Sequence, residues 1–319
     1  MNFADSEIVN SILMDEGMEP VQEATQADHI FVNTCSIREN AETKVWNRLK
    51  EFRSLKEKKG NVTVGVLGCM AERIKENIIE KEQLVDLVVG PDAYRDIPKL
   101  LNRVEDGRKA VNVILSLEET YADITPVRTT GNGVSAFISI MRGCDNMCAF
   151  CVVPFTRGRE RSRPEESILD EIRQLSGQGY KEITLLGQNV NSYKTESSDF
   201  TQLMVKASRI NPEIRFRFSS PHPKDFPEEL LHLISERPNL CNSIHIPAQS
   251  GNNSVLERMR RPYTREQYFE LIDKMREIIP GVSLSTDMIT GFCGETEQEH
   301  RDTMDLMKRV RFDLAYMFA

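Results

Sequence analysis

The chain has 319 residues, enough for two domains with sizeable cores. Its 39 % hydrophobic and 28 % charged composition is that of a soluble globular protein, and no apolar run nears the length needed to cross a bilayer, so no membrane partner is expected. A net charge of −8 makes the chain as a whole a poor polyanion binder, so any nucleic-acid contact needs a local basic patch.

The opening "MNFADSEIVNSILMDEG" carries acids from the start and lacks the basic and apolar blocks of a secretory signal, which predicts a cytoplasmic protein. From residue 29 short β-rich runs alternate with amphipathic segments, the pattern of an α/β fold with parallel strands crossed by helices. Strands are predicted at 29–34, 62–67, 84–90 and 110–115, and Ser36 with Glu39 forms a capping box opening a helix into the fifties. The stretch 116–133 loses periodicity and collects Thr, Gly and Pro, which predicts a boundary between a first domain, 1–125, and a second, 126–319. Further strands are predicted at 135–140, 182–187, 215–219, 243–247, 282–290 and 312–318. Six strands are too few to close an eight-stranded barrel, and the chain stops on a strand, so a partial parallel (β/α)6 barrel is expected.

Seven cysteines is an odd number, and three crowd into "RGCDNMCAFC", unlike a secreted disulfide framework. Cys144, Cys148 and Cys151 follow the strand 135–140, and in parallel sheets sites gather at carboxyl ends of strands. Structural zinc wants a fourth ligand, and no further Cys or His follows at the usual distance; three thiolates suit an iron-sulfur cluster with one iron left open. Other strand ends carry polar residues suited to a polar ligand: Gln188 and Asn189, Ser219, His245 and Gln249, and Asp287. Cys35 and Cys69 each end a strand of the first domain. Either alone reads as core packing, but together they read as ligands facing one crevice. Cys241 precedes its strand and reads as core. The basic patch is "TRGRERSR", where Arg157, Arg159, Arg161 and Arg163 alternate and share one side if the segment is extended; "RMRRPYTR" follows another strand end. Such arginines would supply position on phosphates, not base identity. No P-loop, dinucleotide-binding fingerprint, H-E-x-x-H or G-x-S-x-G segment is present.

The C-x3-C-x2-C spacing after the first barrel strand, with Phe150 before the last cysteine, resembles the radical S-adenosylmethionine superfamily. The resemblance implies a 4Fe-4S cluster on Cys144, Cys148 and Cys151 whose open iron chelates S-adenosyl-L-methionine, with cleavage to a 5′-deoxyadenosyl radical. It also places Phe150 and the polar strand-end residues near that cofactor. "VNTCSIRENAE", "GCMAER" and "CDNMCAFCVVPFTRGRERSRP" narrow the resemblance to the MiaB-type methylthiotransferase family of tRNA. That family implies a second, auxiliary 4Fe-4S cluster with Cys35 and Cys69 among its ligands. Its third ligand comes from a Gly-Cys-Gln motif before Met-Asn, so this sequence is expected to be a fragment that also lacks the C-terminal TRAM β-barrel.

The implied reaction is methylthiolation of carbon 2 of N6-isopentenyladenosine at position 37, next to the anticodon. Its partners would be the tRNA anticodon stem-loop, an electron donor such as flavodoxin or ferredoxin, and a sulfur source. An unactivated aryl C–H bond is too hard for side-chain acid-base catalysis, so a cofactor must carry the step. Ser36 departs from the glycine typical of the ribosomal-protein branch, and "GFCGET" replaces the family's Gly-Phe-Pro-Gly-Glu-Thr with Cys293 in place of proline. Threonylcarbamoyl-adenosine in tRNA, or a ribosomal-protein side chain, stands as an alternative substrate. A metal-stapled RNA-binding scaffold without turnover stands as an alternative class.

Overall fold

Short aliphatic runs separated by amphipathic segments form parallel strands crossed by helices, because parallel neighbours need a long crossover connection. The computed structural model describes residues 1–36, 39–128 and 131–319, with backbone alone at 39–41. The chain forms two compact units. One comprises Met1–Thr130 with the short segments Arg142–Asp145 and Cys151–Arg161; the other comprises Gly131–Met141, Asn146–Phe150 and Ser162–Ala319.

In the first unit α1 (Asn2–Asp15), β1 (His29–Thr34), α2 (Glu39–Lys59), β2 (Thr63–Gly68), α3 (Cys69–Ile74), α4 (Asn77–Lys81), β3 (Leu87–Val89), α5 (Ile97–Glu105) and β4 (Ala110–Asn112) follow one another. The strands lie in chain order, all parallel. Period-two alternation sends Val64, Val66 and Val88 into one core with Leu49 and Phe52 of α2. It sends Leu67, Leu87 and Val89 into another with Ile8 of α1 and Ile97 of α5. With both faces covered, β2 is buried along its whole length. Sequence periodicity assigned no element to 2–15, where Ile8, Val9 and Leu13 are buried. The expected Ser36–Glu39 capping box lies outside the described residues.

Around the cysteine loop the chain forms β6 (Met141–Arg142), α6 (Val153–Thr156) and β7 (Arg161–Ser162), of which α6 belongs to the first unit; the second unit carries β5 (Ser135–Ser139) and a regular series. It runs α7 (Glu165–Gly177), β8 (Glu182–Leu186), α8 (Phe200–Ile210), β9 (Arg215–Phe218), α9 (Glu228–Glu236), β10 (Ser243–His245), α10 (Asn253–Arg258), α11 (Arg265–Ile278), β11 (Ser283–Ile289), α12 (Glu297–Val310) and β12 (Leu314–Phe318). The parallel ladders β5-β8-β9 and β10-β11-β12 are joined where Phe216 donates to the carbonyl of Asn239 at 2.8 Å and accepts from the amide of Cys241 at 3.0 Å. Six parallel strands alternating with helices match the expected partial barrel. Capping boxes at Asp199–Gln202, Thr264–Gln267 and Thr296–Glu299 set the starts of α8, α11 and α12. Ile138, Ile183, Leu185, Phe216, Ile244 and Leu284 from the strands share one core. Among the described residues no helix is long and apolar enough to cross a membrane.

Candidate functional site

The β1–β2 register pairs Thr34 with Gly68, so Cys35 and Cys69 come next on two adjacent strand ends. Both thiols are free; Cys69 is buried and Cys35 half-buried. Gly68 holds φ +92°, and a Cβ there would lie 2.6 Å from the carbonyl of Thr34, so only glycine brings the chain this close. Arg157 donates from Nε to Cys69 Sγ at 3.2 Å and from Nη2 to Asp5 Oδ2 at 2.6 Å. Arg142 donates to the other Asp5 oxygen and stacks over Tyr121 at 4.7 Å. Burial pushes the Asp5 carboxyl up, but the two guanidiniums outweigh it and hold its pKa below the ordinary range. Arg161 donates from Nη2 to both carboxylate oxygens of Asp92, each at 2.9 Å. Glu72, three residues after Cys69 on α3, buries Oε2 without a partner among the described residues. Burial, working against the pull of Lys75, drives its pKa to about 7.

This corrects the expected RNA face. Arg157 and Arg161 are buried in ion pairs of the first unit, and Arg163 is buried in the second against Glu171 and Ser167. A desolvated guanidinium without a carboxylate is strongly unfavourable, so the alternating run supplies internal pairs rather than a phosphate-binding stripe. Of the four, only Arg159 is exposed.

The cysteine loop opens at Gly143, where φ is +77° and a Cβ would meet the carbonyl of Arg159 at 2.0 Å. The amide of Cys144 donates to the carbonyl of Gly158 at 3.1 Å. Cys144 and Cys148 are buried and Cys151 half-buried, and none of the three forms a disulfide among the described residues. Within the second unit Arg261 donates from Nη1 to Cys148 Sγ at 3.3 Å and from Nε to the Tyr263 hydroxyl at 3.0 Å. The amide of Ala149 donates to the carbonyl of Met259 at 3.0 Å. Arg261 therefore belongs to the cysteine loop's surroundings, a role its basic neighbours in "RMRRPYTR" concealed.

The strand ends of the second unit gather the other expected residues in two groups. Beyond β8 and β9, Gln188 buries both amide atoms with no partner among the described residues, Asn189 is buried beside it, and the amide of Ser219 donates to the carbonyl of Leu185 at 3.1 Å. Beyond β10, His245 places Nδ1 3.0 Å from Ser285 Oγ and Nε2 3.5 Å from Asp287 Oδ2. The amide of Gln249, at φ +65°, donates to the carbonyl of Asp287 at 2.9 Å. Phe150 is partly exposed on the cysteine loop. His222, missed by sequence reasoning, is buried on Tyr263 and accepts the Lys224 N–H at Nδ1, 3.1 Å. Burial first, then Arg261, pushes its pKa down to about 3. Cys241 is half-buried and Cys293 exposed.

The donor chemistry fits iron-sulfur ligation: reduced cysteines at strand ends, with a guanidinium beside Cys69 and another beside Cys148 that would offset thiolate charge. Among the described residues no three His, Cys, Asp or Glu side chains are drawn together closely enough to hold a single metal ion, so the fit rests on the donor sets and their spacing.

Two family models match the chain: the radical SAM superfamily over residues 138–307, and uncharacterized protein family UPF0004 over 1–90. The tRNA-2-methylthio-N(6)-dimethylallyladenosine synthase of Chloroherpeton thalassium is 57 % identical over 320 residues, covering all of this chain and 70 % of that protein. The mitochondrial tRNA methylthiotransferase CDK5RAP1 of Mus musculus is 53 % identical over 349 residues, and this chain spans 59 % of its length. Among solved structures, the radical S-adenosylmethionine methyltransferase TsrM of Kitasatospora setae, with cobalamin and a [4Fe-4S] cluster bound, superposes with a TM-score of 0.73 at 17 % identity. The match covers 98 % of this chain and 71 % of that one, a likeness of fold.

Proposed function

The chain belongs to the methylthiotransferase family of the radical S-adenosylmethionine superfamily, and from that premise we propose that it attaches a methylthio group to carbon 2 of N6-isopentenyladenosine at position 37 of tRNA. Cys144, Cys148 and Cys151 would hold one 4Fe-4S cluster. Cys35 and Cys69 would be among the ligands of a second, with 1–125 as the auxiliary-cluster domain and 126–319 as the radical barrel. When bound, the clusters and S-adenosylmethionine supply the redox, radical and sulfur chemistry that side chains lack.

The protein's own residues bind and orient. Gln188 offers a donor and an acceptor to the charged amino-acid end of S-adenosylmethionine, at no cost in broken hydrogen bonds, since both its amide atoms lack partners among the described residues. Asn189, Ser219, His245, Gln249 and Asp287 present the remaining polar groups, and Phe150 an apolar ring. Of the four arginines, Arg159 would make the phosphate contact, exposed and held only by a surface pair to Asp145 at 3.4 Å. A base modified at a ring carbon must be turned out of its stack to reach the site. A flavodoxin- or ferredoxin-type reductant, a separate sulfur source and a cytoplasmic site of action complete the reading; the mouse relative carries a mitochondrial name.

What supports this reading most is the placement of Cys35 and Cys69 on adjacent strand ends in a chain that also carries the three-cysteine loop after β5. The test uses anaerobically reconstituted full-length protein. Cys148→Ala abolishes 5′-deoxyadenosine formation, whereas Cys35→Ala spares it and stops methylthio insertion into tRNA, read by mass spectrometry. Methylthio product from Cys35→Ala protein sinks the auxiliary assignment. Bound zinc without cleavage leaves only the RNA-binding scaffold, and product on tRNA lacking the isopentenyl group moves the substrate elsewhere.

A further inference from the structure

Arg157 is 2 % exposed, yet its donors are only partly used. Nε reaches Cys69 Sγ, and Nη2 reaches Asp5 Oδ2 and, at 3.4 Å, Asn2 Oδ1. Nη1 is buried and meets no acceptor among the described residues. A guanidinium carries two donors at that nitrogen, and burial denies them water.

The surrounding charges do not balance either. Arg142, Arg157 and Arg161 face Asp5 and Asp92, all buried or nearly so, which leaves one positive charge in excess among these five groups. Glu72, which couples to Asp92, is mostly protonated below about pH 7. A buried positive excess, with an idle donor on the guanidinium that already contacts Cys69, calls for an anionic acceptor at that strand end.

We infer that Arg157 is a positioning residue whose Nη1 donates to a sulfur atom of the inorganic group held by Cys35 and Cys69, and whose charge stabilises the reduced form of that group. The inference rests on the auxiliary-cluster reading above. A hydrogen bond and a positive charge beside a cluster favour the state with one more electron, so their removal lowers the reduction potential.

The experiment isolates this cluster in full-length protein carrying Cys144→Ala, Cys148→Ala and Cys151→Ala, reconstituted anaerobically and titrated by EPR at controlled potential. Arg157→Gln lowers the reduced-to-oxidised ratio at a fixed potential about tenfold, equivalent to about 59 mV for a one-electron couple, with iron content kept. Arg157→Lys, which retains the charge and loses the fork, falls between. Full iron with an unchanged midpoint in Arg157→Gln overturns the role of Arg157 and leaves the two-cluster reading standing. If Arg157→Gln does not fold, Arg157→Lys still opposes Asp5, and a midpoint equal to its parent's overturns the role just as directly. A parent protein that takes up no iron overturns the auxiliary cluster and this role together.

Discussion

Arg261 donates from Nη1 to the Sγ of Cys148 at 3.3 Å, while its Nε holds the hydroxyl of Tyr263. The contact joins the loop after α10 to the cysteine loop, and it gives a thiolate at Cys148 a charge-assisted donor. Outer partners of metal ligands commonly control metal affinity or activity by about 10–100-fold. Arg261→Gln is therefore expected to weaken iron retention by about that factor, measured by competition with a chelator. Retention equal to the parent's would show the contact to be idle.

Gly143→Ala tests the entrance of the same loop. The left-handed backbone costs a non-glycine residue about 1–2 kcal/mol, and the Cβ would press on the carbonyl of Arg159, an overpacking that costs about 1–3 kcal/mol more. A loss of about 2–5 kcal/mol in urea unfolding is expected for apo protein. A loss under about 0.5 kcal/mol, the range of an ordinary surface substitution, would mean that the loop shifts freely.

Asp5→Asn removes a buried carboxylate that pairs with both Arg142 and Arg157. Breaking a buried pair by removing one partner costs about 3–5 kcal/mol, because the other charge stays buried. Asp5→Asn protein should unfold at correspondingly lower urea with a similar m-value, whereas the exposed pair Arg173–Glu166 can be broken for about 0–1 kcal/mol.

Two buried groups give opposite pH slopes. Glu72 titrates near 7 in the folded protein against 4.5 ordinarily, so its contribution to stability is full below about pH 4.5 and is lost as pH rises through about 7. His222 titrates near 3 against 6.5, so its contribution is full above about pH 6.5 and is lost as pH falls toward 3. Glu72→Gln should stabilise apo protein at pH 8 relative to pH 4.5 by up to about 3 kcal/mol. His222→Gln should flatten the acid limb instead. Urea midpoints from pH 4 to 8 check both, and parallel curves for all three proteins would refute the assignments.

The ten strands expected from periodicity all appear, because runs such as "VTVGVL" are β-branched, bounded by turn residues and covered on both faces. The polar strand-end loops were legible for the same reason. The arginines of "TRGRERSR" were misread because alternation reports only which side a residue faces, not whether a carboxylate waits there. Asp5 and Asp92 are distant in sequence and carry no local sign of their task. The helix 2–15 escaped because its buried face mixes Ala4, Asp5, Ile8 and Ser11, which blurs the apolar stripe. Arg261 was seen only as one charge in a basic run, although the sulfur it contacts lies 113 residues earlier.

The pairing of Thr34 with Gly68 also sets what the chain between them can tolerate. A slip of one residue between β1 and β2 would carry Cys35 about 3.3 Å along the sheet and turn its side chain to the opposite face. The crossover through α2 can therefore gain or lose helical turns on its solvent side, as surface connections do, while neither strand can gain or lose a single residue. Natural variation and engineered insertions in this region should accumulate in the crossover and stop short of both strands.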